Sequence, residues 1–137
     1  MAVVEELLRS EADGAISFGN HKLTKKAKVE DYEHAGDLLK VKTYGEITKL
    51  EKNGMFLYES VPGTSVLHFV EKEDGVEFVV EGDKDAQITI GLTDDTEYEV
   101  IVGGKNTGIM KTGLGGKLSL SVELETTGEV PVKVVKS

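Results

Sequence analysis

The chain of 137 residues predicts an all-β protein, an antiparallel β-sandwich, and three observations carry that reading. From Val66 to the end, about seventy residues divide into seven short strand-like segments, separated by turns as plain as Asp74-Gly75, Gly103-Gly104 and Gly115-Gly116. Side chains alternate in period two, with Val76, Phe78 and Val80 set against Glu77 and Glu81. The closing hairpin does the same, Leu118, Leu120, Val122 and Leu124 against Ser119, Ser121, Glu123 and Glu125. Asn53-Gly54, flanked by apolar alternation, is a type I′ hairpin signal, because both central residues of that turn need positive φ.

In chain order, Val3, Val4, Leu7 and Leu8 fall on one helical stripe with Gly14 beyond them, so a short amphipathic leading helix is expected. Residues 15–18 read as a strand. The polar stretch 20–37 has no sustained period and carries His21 and His34; it reads as a long loop with both histidines exposed. Three strands follow at 38–43, 46–51 and 55–60, and Val61-Pro62-Gly63 breaks the pattern. Later strands are expected at 87–92, 97–102, 108–111 and 130–136. This gives a short helix with a small β unit over 1–61 and a seven-stranded sandwich over 62–137, sharing one core because three strands alone bury too little area.

Charge narrows the partners. Residues 1–61 hold eleven acids against nine bases, whereas 62–137 hold fourteen against seven, which together make the net −9. Such a surface repels phosphate backbones, so no nucleic acid is expected. Lys22, Lys25, Lys26 and Lys28 form the one basic cluster and read as a solvated loop, with no arginine or aromatic interleaved. The absence of cysteine excludes disulfides, thiolate metal sites and thiol nucleophiles. Glu5, Glu6 and Arg9 interrupt any secretory leader, and no run approaches eighteen apolar residues, so the expectation is a cytoplasmic protein that does not enter a membrane. A chain from which a leader had been removed would read the same.

Candidate chemistry is sparse. Asp83 and Asp85, then Asp94 and Asp95, flank the strand at 87–92 and could each offer oxygens to Ca²⁺, although aspartates in turns ordinarily bond the local backbone and neither cluster has EF-hand spacing. No other cofactor is expected. His21, His34 and His68 show no ligand spacing, and His68, between Leu67 and Phe69, reads as a partly buried strand residue. No serine sits in a G-x-S-x-G elbow, and no helix follows the glycine pairs to make a phosphate loop. Tyr32 and Tyr44 lie in or beside loops and could stack on a sugar, whereas Tyr58 and Tyr98 fit strand alternation.

The run Tyr98-Glu99-Val100-Ile101-Val102-Gly103-Gly104, then Gly108-Ile109-Met110-Lys111-Thr112, then Gly116-Lys117-Leu118-Ser119-Leu120-Ser121-Val122, resembles the closing strands of bacterial immunoglobulin-like or fibronectin-type sandwich modules. Leu38-Leu39-Lys40-Val41-Lys42-Thr43, Glu46-Ile47-Thr48-Lys49-Leu50-Glu51, Asn53-Gly54-Met55-Phe56 and Tyr58-Glu59-Ser60-Val61-Pro62-Gly63-Thr64 are similar to small clostridial proteins that sometimes carry the label endosialidase. Sialidases resemble one another in an arginine triad and in tryptophan-containing Asp-box turns. Arg9 is the sole arginine here and tryptophan is absent. The expectation is therefore a non-catalytic interaction or assembly module, self-associating or docking on a protein partner through strand edges; the alternative is a calcium-dependent or carbohydrate-binding accessory module.

Overall fold

The computed structural model describes residues 3–137 and is all-β, with two antiparallel sheets packed face to face. In chain order the strands are β1 (Leu8–Ser10), β2 (Ile16–Phe18), β3 (Ala27–His34), β4 (Asp37–Tyr44), β5 (Ile47–Lys52), β6 (Met55–Val61) and β7 (Ser65–Lys72). β8 (Gly75–Glu81), β9 (Ala86–Gly91), β10 (Glu97–Val102), β11 (Lys105–Lys111), β12 (Lys117–Val122) and β13 (Glu129–Lys136) follow. One sheet runs β1-β2-β7-β8-β13-β10-β11 and the other β12-β9-β6-β5-β4-β3.

Period-two patterning decides which face each strand buries. Val76, Phe78 and Val80 of β8 and Leu118, Leu120 and Val122 of β12 are buried, while Ser119 and Ser121 are exposed. Phe18, Tyr58, Phe69 and Phe78 meet at the centre, mostly edge to face with ring centroids 5.2–6.3 Å apart, the geometry that ring quadrupoles favour. The buried cluster runs from Leu8 to Val134, and β6 pairs with β9 while β2 pairs with β7. Asn53 (φ 52°) and Gly54 (φ 79°) make the expected turn between β5 and β6.

Several expectations need correction. Among the described residues there is no leading helix. Leu7 sits at φ 70°, outside helical space, and the backbone of this segment bonds across to Gly19 in both directions, Val4 N–H to Gly19 O (3.1 Å) and Gly19 N–H to Leu7 O (3.0 Å). Two turns of isolated helix are marginal, and burial of Val4 and Leu8 on the sheet outweighs them. The expected loop at 20–37 contains β3, whose alternation breaks at a bulge around Asp31 (φ 54°) between Val29 and Tyr32. The bulge erases the period that would have marked a strand. Glu81 is buried, not on a wet face. β12 and β13 do not form a hairpin either, since β12 joins β9 in the opposite sheet.

Candidate functional site

Two features stand out from the sandwich: its strand edges and a cleft over one end. The four edges are β1, β11, β3 and β12. β1 and β3 close on each other through side chains: the Tyr32 hydroxyl accepts the Ser10 N–H (3.0 Å), Ser10 Oγ lies 2.8 Å from His34 Nδ1, and His34 Nε2 lies 3.0 Å from the Gly14 carbonyl. β11 bulges at Thr107, whose hydroxyl donates to the Val100 carbonyl (3.0 Å), and carries Lys105 and Lys111 at its ends. Bulges and terminal lysines are the ordinary means of keeping another strand from adding to an edge. β12 has neither. Its six residues pair with β9 in unbroken register, and among the described residues no strand lies on its other side.

At one end of the sandwich, the turn Val61-Pro62-Gly63-Thr64 draws a chain of buried hydroxyls together. Asn20 N–H donates to Thr43 Oγ1 (2.9 Å), Thr43 Oγ1 lies 2.8 Å from Thr48 Oγ1, and Thr48 Oγ1 donates to the Thr64 carbonyl (2.7 Å). Because the Thr48 proton goes to Thr64, Thr43 must be the donor in the bond between the threonines. Thr64 Oγ1 in turn lies 2.8 Å from the Tyr58 hydroxyl and 2.7 Å from Ser60 Oγ. All five of these side chains lie in residues with no exposed surface. Burial pushes the Tyr58 hydroxyl pKa far above the ordinary tyrosine value, so it stays a neutral donor.

Above this network opens a cleft of about 440 Å³ lined by His21, Lys22, Tyr44, Glu46, Gly63, Asp83 and Lys84, among others. Gly63 is required in its floor, since a Cβ there would lie 1.9 Å from the Tyr44 carbonyl oxygen. His21 is buried, against the expectation of an exposed loop residue. Its Nδ1 lies 2.8 Å from Ser65 Oγ. The Asp83 carboxylate, 3.8 Å from Nε2, favours the tautomer with the ring proton on Nε2, in which the Ser65 hydroxyl donates to Nδ1. Nε2 is buried, 3.8 Å from Asp83 Oδ2, and has no hydrogen-bond partner among the described residues. Desolvation lowers the His21 pKa, partly offset by Asp83, so the ring is neutral near pH 7. Lys22 Nζ donates to both Asp83 oxygens (2.9 and 2.8 Å) and so lowers the Asp83 pKa. The Tyr44 hydroxyl donates to Glu46 Oε2 (2.6 Å), which raises the Tyr44 pKa, and Lys26 Nζ stands 5.8 Å from the Tyr44 ring centroid.

The other candidates are scattered. Asp83 and Asp85 lie before β9, and Asp94 and Asp95 after it. Asp85 Oδ1 accepts the backbone N–H groups of Leu124 and Glu125 (2.9 and 3.0 Å), and Asp95 faces Lys111 Nζ (3.2 Å). Among the described residues no three histidine or acidic side chains gather as a metal would require. His68 lies in β7 as expected but is exposed, not partly buried, because the bulge between Leu67 and Val70 turns it outward at φ 52°. Tyr32 lies within β3, not in a loop. A groove of about 480 Å³ on the seven-stranded sheet is mostly apolar, with Ala15, Val70, Val79, Ile101 and Pro131 in its lining.

The buried hydroxyl chain and the neutral His21 were not legible in the sequence. Thr43, Thr48, Ser60, Thr64 and Ser65 lie at strand ends or in turns, where such residues are common for local reasons. Compared with known protein families, with curated proteins and with solved structures, the chain matches none of them.

Proposed function

We propose that this protein is a non-catalytic assembly module that associates with a second copy of itself through the open edge of β12. The carrying observation is that, among the described residues, β12 is the one edge strand that neither bulges nor is bridged to another edge by side chains. Two β12 strands related by a two-fold axis pair antiparallel, and a register centred on Leu120 keeps polar faces together. In that register Ser119 meets Ser121 of the second copy, and Lys117 meets Glu123 of the second copy, twice per dimer. Opposite charges directly across an antiparallel pair are the favourable arrangement. Continuation of the six-stranded sheet across the axis is strand addition in its simplest form.

A six-residue edge buries less than the roughly 1,000 Å² of a stable interface, so the dimer is reversible and concentration-dependent. The net charge of −9 on each copy opposes it at low salt. Sedimentation equilibrium should show monomer and dimer in exchange. Lys117→Glu or Glu123→Lys alone turns two attractive pairs repulsive and should weaken dimerisation by about tenfold, on the order of 1–2 kcal/mol. The double exchange should restore it. A strict monomer at high concentration, or a double variant no better than the singles, refutes the β12 edge.

A further inference from the structure

We infer that the cleft over His21 binds an uncharged, hydroxyl-bearing ligand, a neutral saccharide unit, which inserts one hydroxyl between His21 Nε2 and Asp83. The reading is independent of the β12 edge and rests on the geometry of the cleft. His21 Nε2–H is a donor at the cleft wall with no acceptor, an expensive state for a buried polar group. Asp83 Oδ2, 3.8 Å away, is too distant to accept directly, and the gap is within an ångström of what a single bridging oxygen needs. A hydroxyl is the group that fits, since it accepts from Nε2–H with a lone pair and donates its own proton to the carboxylate. Two such bonds at a tetrahedral oxygen span about 4.6 Å, so Asp83 must move outward by under one ångström.

That movement meets little resistance. The Lys22–Asp83 pair, whose carboxylate stands 3.8 Å from Nε2, is half exposed on both sides, and exposed ion pairs contribute little. The wall beneath does not move with it, because His21 is held at Nδ1 by Ser65 and the turn behind it by the buried threonine chain. Charge selects against an anion. Lys22 and Lys84 balance Asp83 and Glu46 in the lining, and Lys22 is already committed to Asp83 through both carboxylate oxygens. What remains is a set of paired donors and acceptors beside the Tyr44 ring, as a polyol needs.

The test is an amide and imidazole NMR titration of the full chain with glucose, galactose and N-acetylglucosamine, beside N-acetylneuraminic acid and inorganic phosphate as anionic probes. At least one neutral sugar should shift the amides of Lys22, Gly45, Gly63 and Lys84 together with the His21 Nε2 resonance. His21→Phe should weaken that binding by about tenfold, the loss of one hydrogen bond to a buried group. Should that variant fail to fold, Asp83→Ala, on the exposed side of the same hydroxyl, should weaken binding comparably. Lys117→Glu should leave the titration unchanged. Neutral sugars that shift none of these signals, or anionic probes that shift them where neutral sugars do not, overturn the proposal.

Discussion

Replacing Thr64 by valine keeps its volume and its backbone bonds to Thr48 but deletes the one hydroxyl that joins Tyr58 to Ser60. Both partners sit in residues with no exposed surface, so neither gains a water in exchange. A buried group stripped of its partner costs about 1–3 kcal/mol. Two groups are stripped here, about 2–6 kcal/mol together, and some re-pairing of Tyr58 with Ser60 recovers part of this, which puts the loss at about 2–4 kcal/mol. Tyr58→Phe is the milder change, because it removes a partner and its own need together and leaves the Ser60–Thr64 bond intact; about 1 kcal/mol is expected. At this chain length each kcal/mol corresponds to about 3.5 °C in Tm, hence a drop of about 7–14 °C for Thr64→Val. The two changes should not add: in the double variant the stranded Tyr58 hydroxyl no longer exists, so its loss should fall short of the sum by about 1 kcal/mol or more. Urea and thermal unfolding followed by circular dichroism measure all four corners of the cycle. If Thr64→Val is no worse than Tyr58→Phe, or if the pair is additive, the hydroxyl chain is not the constraint described.

Gly63→Ala should destabilise by about 2–4 kcal/mol in urea unfolding, because its methyl would meet the backbone carbonyl of Tyr44, whereas Gly113→Ala, with open space around it, should fall within about 0.5 kcal/mol of the parent. The His21 ring should titrate below the ordinary histidine value of about 6.5, followed by its Cε1–H shift against pH. The sign follows from linkage: with the folded pKa lowered, the unfolded chain binds more protons between the two values, so stability is full above about pH 6.5 and declines as pH falls toward the folded pKa. Asp83→Asn removes the charge that partly offsets desolvation and should lower the His21 midpoint further; a midpoint at or above 6.5 in the parent contradicts the buried, neutral ring.

Strand alternation and turn chemistry were readable because they are local. Val76, Phe78 and Val80, or Leu118, Leu120 and Val122, declare a buried face whatever the sheet partner is, and Asn53-Gly54 declares its turn through φ alone. The leading segment misled because Val3, Val4, Leu7 and Leu8 suit a helical stripe equally well, and only Gly19, reached through the fold, supplies the competing backbone bonds. β3 was missed because a bulge at Asp31 breaks its period. The exposure of His21 and His68 is not encoded locally for one shared reason: whether a side chain meets water depends on what lies across from it, and Ser65 is forty-four residues from His21.

Sequence by itself determined that this chain forms strands, where most of them turn, and which chemistries its composition excludes, since these depend on neighbours within a few residues. Tertiary structure decided that β12 joins β9 and leaves an open edge, and that residues 20, 43, 48, 58, 60 and 64 share one buried hydroxyl chain under the His21 cleft. Those outcomes depend on long-range pairing, where a contact is worth its energy only after the intervening chain has been ordered, and no local pattern encodes which partner wins.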